Sequence, residues 1–122
     1  MVKQETWELD FEWLRVRHSV QKALSQDKLP DLNNILLLIG IQELGIVKPD
    51  YSKSEKMDLM HIAVCRLLSQ EGYYEFEAID SDGWPHWKQL MPFSTKGLKD
   101  QEYILKSNIV RYFKTETTLL NE

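Results

Sequence analysis

Cysteine is nearly absent. Cys65 is the single one in 122 residues, so no disulfide can close within the chain and no thiolate zinc cluster can be built from it alone. A reducing compartment suits such a sequence. Long apolar runs are missing too: the longest aliphatic stretch is Ile35 to Ile39, extended past Gly40 by Ile41, far short of the roughly 20 residues that cross a bilayer. No membrane partner is expected. The opening residues, Met1 to Trp7, lack the basic-then-apolar order and small-residue cleavage site of a secretory signal, and the chain reads as cytoplasmic. Excess positive charge is also lacking, with 15 Lys and Arg against 19 Asp and Glu for a net charge of −4. That balance repels a polyanion, so nucleic acid is not the expected partner.

Several catalytic signatures are missing as well. There is no Gly-x-Gly-x-x-Gly, P-loop, Gly-x-Ser-x-Gly, His-Glu-x-x-His or Glu-x-x-His motif. No cofactor is therefore expected. What is present is an ordinary globular composition, 43% hydrophobic and 28% charged, without repeats or linker-like tracts, read as one domain spanning residues 1–122.

Hydrophobic periodicity predicts four helices. In the first, about Asp10 to Gln26, Leu9, Trp13, Val16, Val20, Ala23 and Leu24 share one arc, and Pro30 sets its end near Asp27. The second, Asp31 to Leu44, is apolar almost all round and stops before Gly45. Such a helix is buried centrally or covered by a second copy of the chain. Ser52 followed by Glu55 is a capping-box pattern opening a third helix over Met57 to Leu68. Its apolar arc is Met57, Leu59, Met60, Ala63, Val64, Leu67 and Leu68, leaving Asp58, Ile62, Arg66 and Ser69 on a narrower strip. A last helix runs from Leu98 to about Lys114, and residues 115–122 are expected to fray.

Between the last two helices the period changes. From Tyr73 to Ile79, Tyr74, Phe76 and Ala78 alternate with Glu75 and Glu77, as a half-buried strand requires. A turn at Asp80, Ser81, Asp82 and Gly83 would place Ile79 opposite Trp84, Glu77 opposite His86, Phe76 opposite Trp87 and Glu75 opposite Lys88. The fold class is thus mainly α with minor β: about four helices and one hairpin, at about 73–90, inserted before the last. Helix, helix, helix, hairpin is also the winged-helix order, but the would-be wing is the most acidic part of the chain. Glu71, Glu75, Glu77, Asp80 and Asp82 give that stretch −5 with no Lys or Arg, so the rest of the chain sums to +1.

The hairpin collects the first set of candidate residues: Glu75, Glu77, Asp80, Asp82, Trp84, His86 and Trp87. Asp80-Ser81-Asp82-Gly83 can offer oxygen ligands to a hard cation, although the closing Glu of an EF-hand is missing, and the same residue types make tight turns for conformational reasons. Glu77 and His86 have the types of an acid/base pair, or of a cross-strand charge pair. Trp84 and Trp87, three apart, point to opposite faces of a regular strand, which makes one of them core. A second set lies on the third helix, where Asp58, His61 and Cys65 share a stripe. These are the types of an activated thiol, or of a zinc site completed by His18, His86 or another chain. A mid-helix nucleophile has no free backbone N–H for an oxyanion, and a buried Cys beside a core His bonded to Asp58 or a carbonyl explains the stripe without chemistry.

The stretches Asp58-Leu59-Met60-His61-Ile62-Ala63-Val64-Cys65, Gly72-Tyr73-Tyr74-Glu75-Phe76-Glu77 and Asp82-Gly83-Trp84-Pro85-His86-Trp87 resemble a group of small, uncharacterised soluble bacterial proteins, from about Asn33 to Phe113. The resemblance implies a bacterial, cytoplasmic origin and carries over no functional residue. The expectation from the residues themselves is a non-enzymatic interaction module. It would self-associate through the apolar second helix and present the acidic, aromatic hairpin to a protein partner. The alternative is a small enzyme or metal-dependent ligand binder using the hairpin carboxylates and His86.

Overall fold

The computed structural model describes residues 6–46 and 48–115. Its order is α1 (Thr6–Ala23), α2 (Leu32–Leu44), α3 (Lys53–Ser69), β1 (Tyr74–Ile79), β2 (Pro85–Gln89) and α4 (Leu98–Thr115). The architecture is mainly α, with four helices and a two-stranded antiparallel hairpin between the third and fourth. Thr115 is still helical, and the rest of the tail expected to fray, residues 116–122, lies outside the described residues. Among the described residues no helix is long and apolar enough to cross a membrane.

By packing, the chain divides into two compact units, Met1–Leu32 with Thr95–Glu122, and Asn33–Ser94. The first holds α1 and α4. Leu9, Trp13, Val16 and Val20 recur every three or four residues on α1 and are buried, as the 3.6-residue period requires. On α4 the buried set is Leu105, Asn108, Ile109, Val110, Tyr112 and Phe113. At the margin Lys114 Nζ lies 3.4 Å from Glu12, and Lys106 Nζ lies 5.6 Å from the Trp13 ring centroid. The first helix ends earlier than its pattern suggests, which leaves Ala23 and Leu24 exposed. Ser25 takes a left-handed φ of 51°, while its N–H bonds Lys22 O at 3.2 Å and Gln26 N–H bonds Gln21 O at 3.0 Å. That pair of bonds is a Schellman closure, formed five residues before Pro30 acts.

The second unit holds α2 from Asn33, α3 and the hairpin. On α2, Ile35, Leu36, Ile39, Gly40 and Leu44 are buried and Leu37, Leu38 and Ile41 half-buried, so most of its apolar surface is covered in the single chain. Gly40 sits where α2 crosses α3: a Cβ there would stand 2.1 Å from the Leu59 carbonyl oxygen. Only glycine permits that approach. Beside the crossing, Leu44, Tyr51 and Leu59 form a buried cluster, with Leu37, Ile41 and Trp84 packed against it. The Tyr51 hydroxyl donates to Ile46 O at 2.7 Å and accepts from Lys48 N–H at 3.2 Å.

The expected capping box opens α3: Ser52 Oγ accepts from Glu55 N–H at 3.1 Å and Glu55 accepts from Ser52 N–H at 2.9 Å. The buried arc of α3 is Leu59, Ile62, Ala63, Cys65, Leu67 and Leu68. Ile62, expected on the polar strip, is therefore core, and Met57, expected in the core, is 64% exposed. The reason is the hairpin, which packs on the Ile62 side of the helix. It is forced back by a short link in which Gly72 takes φ +84°, Gly72 N–H bonds Ser69 O at 3.2 Å and Tyr73 N–H bonds Leu68 O at 3.1 Å. This second Schellman closure needs a left-handed residue, which glycine supplies without strain.

The hairpin register pairs Glu75 with Lys88 and Phe76 with Trp87, as the sequence predicts, and Tyr74 with Gln89. It then slips at Glu77, so that Ala78 faces His86 and Ile79 faces Pro85. A bulge of this kind inserts one unpaired residue, and the expected pairs Glu77 with His86 and Ile79 with Trp84 do not form. The strand is also far less covered than a half-buried one. Phe76, Ala78 and Ile79 are all exposed, because a lone two-stranded ribbon packed on α3 leaves much of its surface uncovered.

Candidate functional site

A cleft of about 430 Å³ opens between α3 and the hairpin, within the second unit, and is lined by Asp58, His61, Ile62 and Cys65 from α3 and by Asp80, Asp82, Trp84, Pro85, His86 and Trp87 from the ribbon. Both residue sets singled out in the sequence meet here. The convergence has a simple local cause. Asp58, His61, Ile62 and Cys65 follow a three-and-four spacing that puts them on one side of the helix, and the short link through Gly72 turns the ribbon onto that side.

The turn is organised by Asp80. Its Oδ1 accepts from the backbone N–H of Asp82 at 2.9 Å and of Trp84 at 3.0 Å, and its Oδ2 accepts from His86 Nε2 at 2.8 Å. Its own N–H bonds Trp84 O at 2.9 Å, and Gly83 N–H closes on Asp80 O at 3.0 Å. The His86 hydrogen bond, then the backbone donors, hold the Asp80 carboxyl below its ordinary value of 3.8. Asp80 is thus occupied by the turn itself, and it replaces Glu77 as the partner of His86. Glu77 stands at the bulge, exposed, and Glu75 lies across from Lys88 on the ribbon; neither lines the cleft. Among the described residues no three His, Cys, Asp or Glu side chains are placed to share a metal ion.

On the helical wall, Cys65 Sγ lies 3.6 Å from His61 Nε2. Burial pushes the Cys65 thiol up to about 11, so near neutral pH it is a protonated thiol and a poor nucleophile. His61 is exposed rather than a core residue, and no hydrogen bond joins it to Asp58. The Asp–His–Cys relay is therefore not assembled. Asp58 and Asp82 line the cleft, and their carboxylates have no hydrogen bond or ion pair among the described residues.

Trp84 and Trp87 both wall the cleft and both are half-buried, rather than one being core and the other outside. Trp84 precedes β2, so strand alternation does not govern it. Phe76 meets the Trp87 ring edge-to-face at 5.7 Å, a favourable arrangement for aromatic quadrupoles. Trp87 Nε1–H is buried without an acceptor among the described residues. Sequence reasoning missed Ile62 and Pro85 as lining residues; the spacing of Ile62, four residues after Asp58 and three before Cys65, is the signal that places it on this wall. The chain matches no family model, no curated protein and no solved structure.

Proposed function

We propose that this protein is a non-enzymatic interaction module in which the acidic, aromatic hairpin, backed by α3, receives a protein partner. The observation that carries the reading is the convergence in one open cleft of two indoles and two unengaged carboxylates, those of Asp58 and Asp82. Aromatic side chains are enriched where proteins bind one another, and carboxylates at the rim of such a site set its charge preference and association rate. A catalytic reading finds less to work with. The Asp80 oxygens are held by the turn and His86, Glu77 is outside the cleft, and the Cys65 thiol stays protonated.

The test is retention of a discrete partner from lysate of the source cells, compared across variants. The reading expects the partner to be retained by wild type, lost from the Asp58→Asn/Asp82→Asn pair, and kept by Glu8→Gln/Asp10→Asn, an equal change of charge on exposed positions of α1. Equal retention by both pairs contradicts it.

A further inference from the structure

Resting on that reading, we infer that the cleft takes an arginine side chain of the partner, its guanidinium donating to the free carboxylates of Asp58 and Asp82 and lying against the indoles of Trp84 and Trp87. The lining holds three aspartates and neither lysine nor arginine, and the segment from Glu71 to Asp82 has no basic residue. A cation is therefore attracted to the cleft, and an anion is repelled. A volume of about 430 Å³ lies in the range of clefts that take one small group, roughly 300–1,000 Å³.

Among cations, the wall chemistry selects. A hard metal ion prefers a shell of six or more oxygens, whereas Ile62, Pro85 and two tryptophans are among the ten residues of this lining. An ammonium is a compact, strongly hydrated point charge. A guanidinium is planar, stacks on aromatic faces, sheds water more readily and carries five donors in a fork that can serve two carboxylates at once.

The experiment uses the full chain, ¹⁵N-labelled, titrated with acetyl-Gly-Arg-Gly amide and with its lysine and citrulline counterparts. Citrulline has the shape of arginine without the charge. The indole N–H resonances report separately on the four tryptophans once Trp84→Phe and Trp87→Phe spectra assign two of them. The expected result is saturable movement of the Trp84 and Trp87 signals by the arginine peptide at millimolar concentration or below, with Trp7 and Trp13 unmoved. The lysine peptide should bind several-fold more weakly, the citrulline peptide should not bind, and Asp58→Asn/Asp82→Asn should weaken the arginine peptide about tenfold or more. If citrulline matches arginine, or if none of the three moves either signal, the guanidinium assignment is overturned. In either case the broader reading still stands if the same Asn pair abolishes partner retention, and falls if it does not.

Discussion

Replacing Gly40 by alanine separates the close crossing of α2 and α3 from ordinary helix propensity, because the two predict opposite signs. In an unconstrained helix interior Gly→Ala is stabilising by about 1 kcal/mol. Here the new methyl would stand 2.1 Å from Leu59 O, 2.6 Å from its carbonyl carbon and 3.0 Å from its Cα, against the roughly 3.5 Å of a relaxed contact. Those atoms belong to helix backbone and cannot rotate aside, so the helices must part by more than about 1 Å. A gap of that size forfeits about a quarter to a half of each dispersion contact across the seam, where Ile39 and Leu59 are fully buried. Overpacking of this kind costs about 1–3 kcal/mol and more where backbone opposes it. The net expectation is a loss of ~2 kcal/mol or more, seen as a melting temperature lowered by about 6 °C or more for a chain of this length. Thermal and urea unfolding followed by circular dichroism measure it. Gly40→Ala melting at or above wild type would refute the crossing.

Three further outcomes follow from local geometry. Ser25→Gly relieves a left-handed residue that closes α1 and should stabilise the first unit by about 0.5–1 kcal/mol, the αL penalty less glycine's greater unfolded-state freedom; lowered stability in urea would count against that closure. Asp80 is held below its ordinary value of 3.8, so its contribution to the hairpin is full above about pH 4 and fades as pH falls through the lowered value. Near-ultraviolet circular dichroism of the cleft tryptophans should show an acid transition that Asp80→Asn removes, and an unchanged transition in that variant would contradict the role. Cys65, with a thiol near 11 and 1% exposure, should resist iodoacetamide at pH 7 until the protein is unfolded; rapid alkylation of the folded chain would show that the thiol is neither buried nor protonated.

What was legible in the sequence was local. The four helices followed from apolar spacing, the start of α3 from Ser52 and Glu55, and half of the hairpin register from the match of Glu75 with Lys88 and Phe76 with Trp87. What was not legible depended on distant contacts or on single backbone angles. A left-handed serine ended α1 before the proline did, and no propensity marks Ser25 for that conformation. The bulge at Glu77 moved His86 from Glu77 to Asp80, because one extra residue shifts every later pair. Trp84 fell outside β2, so alternation could not place it. The sequence offers Asp58, His61 and Cys65 as one possible site and the hairpin residues as another. Their meeting in one cleft needed the direction in which the Gly72 link sends the ribbon, which the spacing within either element does not encode.

Recognition at this site requires that α3 and the hairpin share that cleft, and solution NMR of the full chain tests this most directly. The prediction is nuclear Overhauser contacts from the Trp84 and Trp87 indole protons to Asp58, His61 and Ile62, with backbone order parameters across Tyr74–Gln89 near 0.85, the value of rigid structure. Absence of those contacts, with order parameters below about 0.6 along the ribbon, would mean that no cleft persists, and the proposed recognition site would be contradicted.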